Sequence, residues 1–329
     1  GVDADAQLEH VLLPALAHAD VKTQERTQIK FEGAIGRVVN IFGGRGAREG
    51  VTTTVSLKGE RMLSLTGDSG EIVDLADFPL PLFDAHLHYN VEAAGGPYPL
   101  DHVLKLFRDN RVTGILANSR PNDGTRALYE AKPKDVWVVP FIRPYIVQPD
   151  RYSWFNDPKI FALIESEHKR GYYQGIGEFH LFGNDAKTEW VKKTVDFAVA
   201  NNLWLHAHSD DAAVDILFAH NPKVRIVWAH TGFTTAPEMI EKYLKKYPNL
   251  WGELSYRYDV TEGGRLKPAW RRLFEQYPDR FIVGSDTWVN ERWGQYASIM
   301  NGYRDWLAEL PQEVAEKIAW RNAERLFRK

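Results

Sequence analysis

From Pro81 onward the chain repeats one unit eight times: a short apolar run, then an amphipathic stretch of helical period. The apolar runs fall at 82–88, 112–118, 136–143, 174–180, 203–208, 224–230, 250–255 and 281–286. The helical stretches fall at 101–110, 125–132, 158–170, 187–201, 211–220, 237–246, 268–276 and 292–309. Strands buried on both faces lose the polar–apolar alternation of half-exposed ones, as parallel strands under a layer of helices must. Eight such units over about 250 residues predict an α/β fold, a (β/α)8 TIM barrel spanning 81–329, with a last helix over 312–328.

Residues 1–80 follow another rhythm. Leu8, Val11, Leu12, Leu16 and Ala19 predict a helix within 5–27, interrupted near Pro14. Over 28–75 the period drops to two, with strands expected at 34–41, 51–57, 61–65 and 71–75. The expectation is an N-terminal helix and a small β-rich unit ahead of the barrel. Gly43-Gly44-Arg45-Gly46 reads as a turn, because it lacks the Lys-Ser/Thr and the strand–helix context of a phosphate loop.

Composition removes several chemistries. There is no cysteine, so disulfides, thiolate nucleophiles and cysteine-held zinc are excluded, and any metal must be held by His, Asp or Glu. The net charge of −3, from 41 basic and 44 acidic residues, offers no basic stripe for nucleic acid. No apolar run approaches the roughly 20 residues of a membrane span. The expected partner is a small-molecule substrate, and homo-oligomers are compatible with this composition. The start at Gly1 rather than Met inclines the expectation towards an exported, periplasmic location.

In such a barrel the chemistry sits at the C-terminal ends of the strands. The first run, Phe83-Asp84-Ala85-His86-Leu87-His88, ends in two histidines that share a strand face. The fourth ends near Glu178, the fifth in His206-Ala207-His208, the sixth in His230 and the eighth in Asp286. These residue types are metal ligands, and five strands deliver them to one mouth. His206 and His208 share a face; His208, nearer the mouth, is the favoured ligand, with His206 packed below. His180 is assigned a loop role. Arg120, Arg143 and Arg257 follow strands two, three and seven, a cation set suited to a carboxylate or phosphate. Trp288 and Trp154 are placed to line a pocket, and Glu253 is read as an inward residue with an arginine partner.

Asp-Ala-His-Leu-His at 84–88, Gly-Ser-Asp at 284–286 and Asn322-Ala323-Glu324-Arg325-Leu326-Phe327 resemble the amidohydrolase superfamily of metal-dependent TIM-barrel hydrolases. Similarity is greatest to the branch that includes aminocarboxymuconate-semialdehyde decarboxylase-like proteins, while Glu178 and the run from His208 to Ala212 resemble TatD-type deoxyribonucleases. The resemblance implies that His86, His88 and Asp286 hold the more buried metal. It implies that His208 and His230 hold a second metal or contact substrate, and that Glu178 bridges a binuclear metal centre. It further implies hydrolysis of a small, anionic ester, amide or lactone by a metal-activated hydroxide. Asp286 is then the general base and acid, and His230 a stabiliser of developing negative charge. One or two divalent ions are expected, zinc before manganese, iron or nickel. The alternatives are nonoxidative decarboxylation, phosphoester hydrolysis and a binding protein without catalysis.

Overall fold

The computed structural model describes residues 79–329 in full and, before them, the backbone of five strands. The chain divides into two compact units, Gly1–Leu80 and Pro81–Lys329. In the first unit the strands Ile29–Glu32, Arg37–Asn40, Thr52–Lys58, Met62–Thr66 and Ile72–Asp74 pair in chain order as an antiparallel sheet. The strand Ile29–Glu32 was not expected from the sequence. The helix expected within 5–27 and the turn at 43–46 lie outside the described residues.

The second unit is a TIM barrel. Its strands are β1 (Leu82–Leu87), β2 (Val112–Ala117), β3 (Trp137–Ile142), β4 (Gly175–Leu181), β5 (Trp204–Ser209), β6 (Arg225–Trp228), β7 (Leu250–Glu253) and β8 (Phe281–Ile282). They pair in parallel and in chain order. β8 closes on β1 through two backbone bonds, Ala85 N–H to the Val283 carbonyl at 2.8 Å and Asp286 N–H to the His86 carbonyl at 2.6 Å. The buried Asp84 carboxylate adds to the seam by accepting the Ser285 N–H at 2.8 Å and the Tyr296 hydroxyl at 2.8 Å.

Helices cover the outside. Some begin at a side-chain cap that the sequence offers: Asp157 caps Pro158–His168, Thr188 caps Glu189–Ala200 and Asp210 caps Asp211–His220, each side chain accepting a first-turn N–H. The stretch expected as one helix over 292–309 breaks at Gln295 into Asn290–Gly294 and Tyr296–Leu307. Outward strand residues such as Ile142, Ile176 and Leu205 pack on Ile164, Val195 and Leu217 of the helices. Inward residues at the strand starts, including Phe83, Phe141, Trp204 and Ile282, form a separate apolar plug completed by Ala323 and Phe327 of the last helix. Phe327 is wholly buried, with its ring 5.4 Å from Trp204 and 5.9 Å from Phe141. The plug seals the bottom and leaves the opposite end free for chemistry. Among the described residues no helix is long and apolar enough to cross a membrane.

Candidate metal centre

At the end of β1, His86 and His88 turn inward, and Leu87 between them faces the helices. The ring partners settle which nitrogen is protonated. His86 Nδ1 lies 2.6 Å from Glu253 Oε1, so Nδ1–H donates there and Nε2 keeps its lone pair. His88 Nδ1 lies 2.7 Å from the Asn118 carbonyl. Arg143 Nη1 also stands 2.7 Å from that nitrogen; a cation at Nε2 selects the Asn118 bond, because it requires the proton on Nδ1.

The two Nε2 atoms are 3.0 Å apart. Glu178 Oε1 is 3.2 Å from His86 Nε2 and 3.1 Å from His88 Nε2; Asp286 Oδ1 is 3.3 Å and 3.1 Å from the same atoms. All four side chains are buried. Four acceptors held this closely repel one another unless a positive charge sits among them. A tetrahedral ion with ligand bonds of about 2.0–2.1 Å has ligand–ligand edges of about 3.3–3.4 Å, close to these separations. The residues therefore fit a divalent metal ion.

The electrostatics agree. Burial would lower the pKa of His86, but the carboxylates of Asp286, Glu178 and Glu253 override it and hold the imidazole well above its usual range. Burial would raise Glu178 and Asp286, and the positive charge of His86 opposes it, holding both carboxyls well below theirs. Without an ion the cluster takes up a proton where a cation fits. Glu253 also accepts from Ser255 Oγ at 2.7 Å and Ser255 N–H at 2.5 Å. Its partner is therefore His86 and not an arginine, which corrects the sequence reading; among the described residues no guanidinium contacts Glu253, whereas the His86 imidazole presents an N–H to it.

The other oxygens of the two carboxylates face a second set. Glu178 Oε2 is 3.2 Å from His208 Nδ1 and 3.5 Å from His230 Nε2, and Asp286 Oδ2 is 3.5 Å from His230 Nε2. His230 Nδ1–H donates to the Ser255 carbonyl at 2.8 Å, so its Nε2 lone pair points at the carboxylates. His206 lies deeper, its ring 4.5 Å edge-on from His86 and both nitrogens without a hydrogen-bond partner. Burial and the charge of His86 hold it neutral. The backbone carries strain here: His230, Thr231 and Asp286 have φ of 57°, 46° and 52°, left-handed values that cost non-glycine residues about 1–3 kcal/mol. Gly177 has no such freedom to change, since a Cβ there would meet the His206 carbonyl at 2.3 Å.

The cluster opens into a cavity of about 590 Å³. Glu178, His208, His230 and Asp286 form its floor; Arg120, Arg143 and Trp288 line its walls. Arg120 is paired with Glu92 at 2.9 Å, and Trp288 Nε1–H donates to the Tyr256 hydroxyl at 2.8 Å. Arg257, expected among the substrate arginines, does not line the cavity. Asp259 at 2.8 Å and the carbonyls of Thr231 and Thr235 at 3.1 and 2.9 Å take up its guanidinium. Trp154 is likewise buried away from the cavity, donating to the His180 carbonyl at 2.8 Å. Tyr145, Arg151 and His180 are among the lining residues that went unrecognised as such in the sequence. His180 lies on β4, and burial pushes its pKa down to about 3.

A TIM barrel with this histidine–carboxylate cluster at its mouth has the architecture of the metal-dependent hydrolases. Residues 176–329 match the family model Amidohydro_2, described as amidohydrolase. Among solved structures, an amidohydrolase (cog3618) from Burkholderia multivorans with bound zinc is 15% identical, with a TM-score of 0.50, over 75% of this chain and 99% of that one. Two proteins named by inference as 2-pyrone-4,6-dicarboxylic acid hydrolases are each 14% identical over 75% of this chain. The one from Pseudomonas putida is covered over 97% with a TM-score of 0.53. The one from Acinetobacter baumannii, with citric acid bound, is covered over 98% with a TM-score of 0.51. At these identities the likeness is one of fold. No curated protein matches the chain.

Proposed function

We propose that the protein hydrolyses a small anionic ester, amide or lactone at a zinc centre held by His86, His88, Glu178 and Asp286. The observation that carries this is the convergence of four buried acceptor atoms at 3.0–3.3 Å. Glu178 divides its oxygens between this cluster and the His208–His230 pair, which supports a second ion there and favours hydrolysis over decarboxylation. A divalent cation at this place supplies a Lewis acid, lowering the pKa of a water molecule towards about 7 and polarising a carbonyl.

The chain's own residues do the rest. Asp286 is held ionised, lines the cavity and accepts the proton of the attacking water, then returns it to the leaving oxygen or nitrogen. His230, fixed by Ser255, stands beside Asp286 where negative charge develops. Glu253 and Asn118 hold the tautomers of His86 and His88. Arg143 and Arg120 supply positive charge on the wall for a substrate carboxylate, with Trp288 as an apolar surface beside it. The neighbours named for 2-pyrone-4,6-dicarboxylic acid, a lactone with two carboxylates, fit the same class.

The test is elemental analysis of the purified protein, then turnover of a panel of carboxylated lactones, esters and amides before chelation, after chelation and after refilling with zinc. Metal-dependent turnover lost in His86→Ala and Asp286→Asn is expected. A protein that takes up no divalent metal, or turnover indifferent to chelation and to both substitutions, refutes the reading.

A further inference from the structure

We propose that Tyr145 fixes His180 as the tautomer protonated at Nε2, making His180 a hydrogen-bond donor to a substrate oxygen in the cavity. The proposal rests on this cavity being the substrate site. His180 has no place in the metal cluster around His86, yet it lines the cavity. One of its ring nitrogens lies within 4.8 Å of both a Glu178 oxygen and a His208 nitrogen.

The tautomer follows from counting protons at one hydroxyl. Tyr145 is buried, and its oxygen accepts the backbone N–H of His180 at 2.6 Å. Its single proton then needs an acceptor, and His180 Nδ1 lies 2.8 Å away. Among the described residues no other acceptor contacts that hydroxyl. With Nδ1 accepting, the ring proton of the neutral imidazole sits on Nε2.

The ring is also held in place. The His180 carbonyl accepts from Trp154 Nε1–H at 2.8 Å, so both backbone groups of the residue are fixed from the β3–β4 side. Tyr145 is itself covered by the Arg143 guanidinium, 4.7 Å above its ring. A neutral, oriented N–H beside the carboxylate floor suits a carbonyl or carboxylate oxygen of the substrate. Tyr145 acts through His180 and is a positioning residue.

The experiment is nitrogen NMR of the zinc-loaded, histidine-labelled protein, in which protonated and unprotonated ring nitrogens resonate apart. His180→Gln assigns the signal. Wild type is expected to show His180 protonated at Nε2 and acceptor-shifted at Nδ1, and Tyr145→Phe is expected to lose that Nδ1 shift. Titration with malonate, a small dicarboxylate, is expected to move the Nε2 resonance. His180→Leu should weaken malonate binding by about tenfold or more, the loss of one hydrogen bond to a charged group, while His180→Gln, which keeps a donor, should weaken it less. A proton on Nδ1, or a tautomer indifferent to Tyr145→Phe, overturns the role of Tyr145. Loss of the Nε2 proton on zinc loading makes His180 a ligand and overturns the proposal. An unmoved Nε2 signal at saturating malonate, or no malonate binding, overturns the donor role. The tautomer is read without turnover, so its failure is distinct from failure of the hydrolase reading.

Discussion

Glu253→Gln isolates the support of the metal centre from the centre itself. The carboxylate of Glu253 is wholly buried and receives only donors: His86 Nδ1–H, Ser255 Oγ–H and the His230 N–H at Oε1, and the Ser255 N–H at Oε2. An amide of the same shape has one acceptor oxygen. If its NH2 replaces Oε2, it faces the Ser255 N–H as donor against donor. If its NH2 replaces Oε1, it forces the His86 proton onto Nε2, into the ligand cluster. Either way a buried donor loses its partner, worth about 1–3 kcal/mol of stability. Removing such a partner of a ligand typically weakens metal binding roughly 10–100-fold. With zinc at 100 times the wild-type Kd, wild type gains about 2.7 kcal/mol from zinc, whereas a variant binding 30-fold more weakly gains about 0.9. At about 2–4 °C per kcal/mol for a domain of this size, the zinc-dependent rise in Tm shrinks to about a third. Thermal denaturation with and without zinc, beside a chelator-competition titration, measures both quantities. Equal zinc-dependent shifts in the two proteins would show that Glu253 does not set the state of His86.

Gly284→Ala places a Cβ 2.5 Å from His86 Cβ and 2.8 Å from Glu253 Oε2, so about 1–3 kcal/mol of stability and some zinc affinity should be lost together; an unchanged Tm contradicts the packing. The stability given by zinc should grow from pH 5.5 to pH 8. In the metal-free protein the raised pKa of His86, where three carboxylates outweigh burial, stabilises fully below about 6.5 and ceases to as pH rises through that raised value. Glu178 and Asp286, depressed by His86 against burial, stabilise above about 4 and lose this as pH falls through their lowered values. Metal-free protein is thus most stable between about pH 4.5 and 6.5, and zinc competes with the His86 proton there; an equal zinc-dependent Tm shift at both pH values would contradict it. Arg257→Ala should lower Tm, by about 1.5–3 kcal/mol for each lost charged hydrogen bond, with zinc stoichiometry retained; weaker substrate binding at unchanged Tm would instead return Arg257 to the cavity.

The barrel was legible because burial on both faces leaves a plain mark: β1 to β6 begin and end within a few residues of the expected runs. The convergence of His86, His88, Glu178 and Asp286 was legible for the same reason, since each lies within an expected strand run or at its end. What the sequence hid was pairing between side chains far apart in the chain. Glu253 and His86 are 167 residues apart, and nothing local tells a carboxylate that meets an imidazole from one that meets an arginine. Arg257 carries the same residue type and strand-end position as Arg143; Asp259 two positions on, with the distant Thr231 and Thr235 carbonyls, turns it aside. His180 was given a loop role although it closes the expected run at 174–180; it lies inside β4, two positions beyond Glu178 and so on the same strand face.

The seam between β1 and β8 also sets an order in time. His86 and His88 leave the ribosome about 200 residues before Asp286, an interval of about 10–40 s at ordinary rates of synthesis. Glu253, the acceptor that orients His86, also arrives late, and the Asp84 carboxylate waits as long for the Ser285 N–H. A nascent chain therefore carries His86 long before the acceptor that orients it, whereas His88 waits only 30 residues for the Asn118 carbonyl. The four acceptors of the cluster come together only when the last strand docks, so the geometry that fits a divalent ion is a property of the finished barrel.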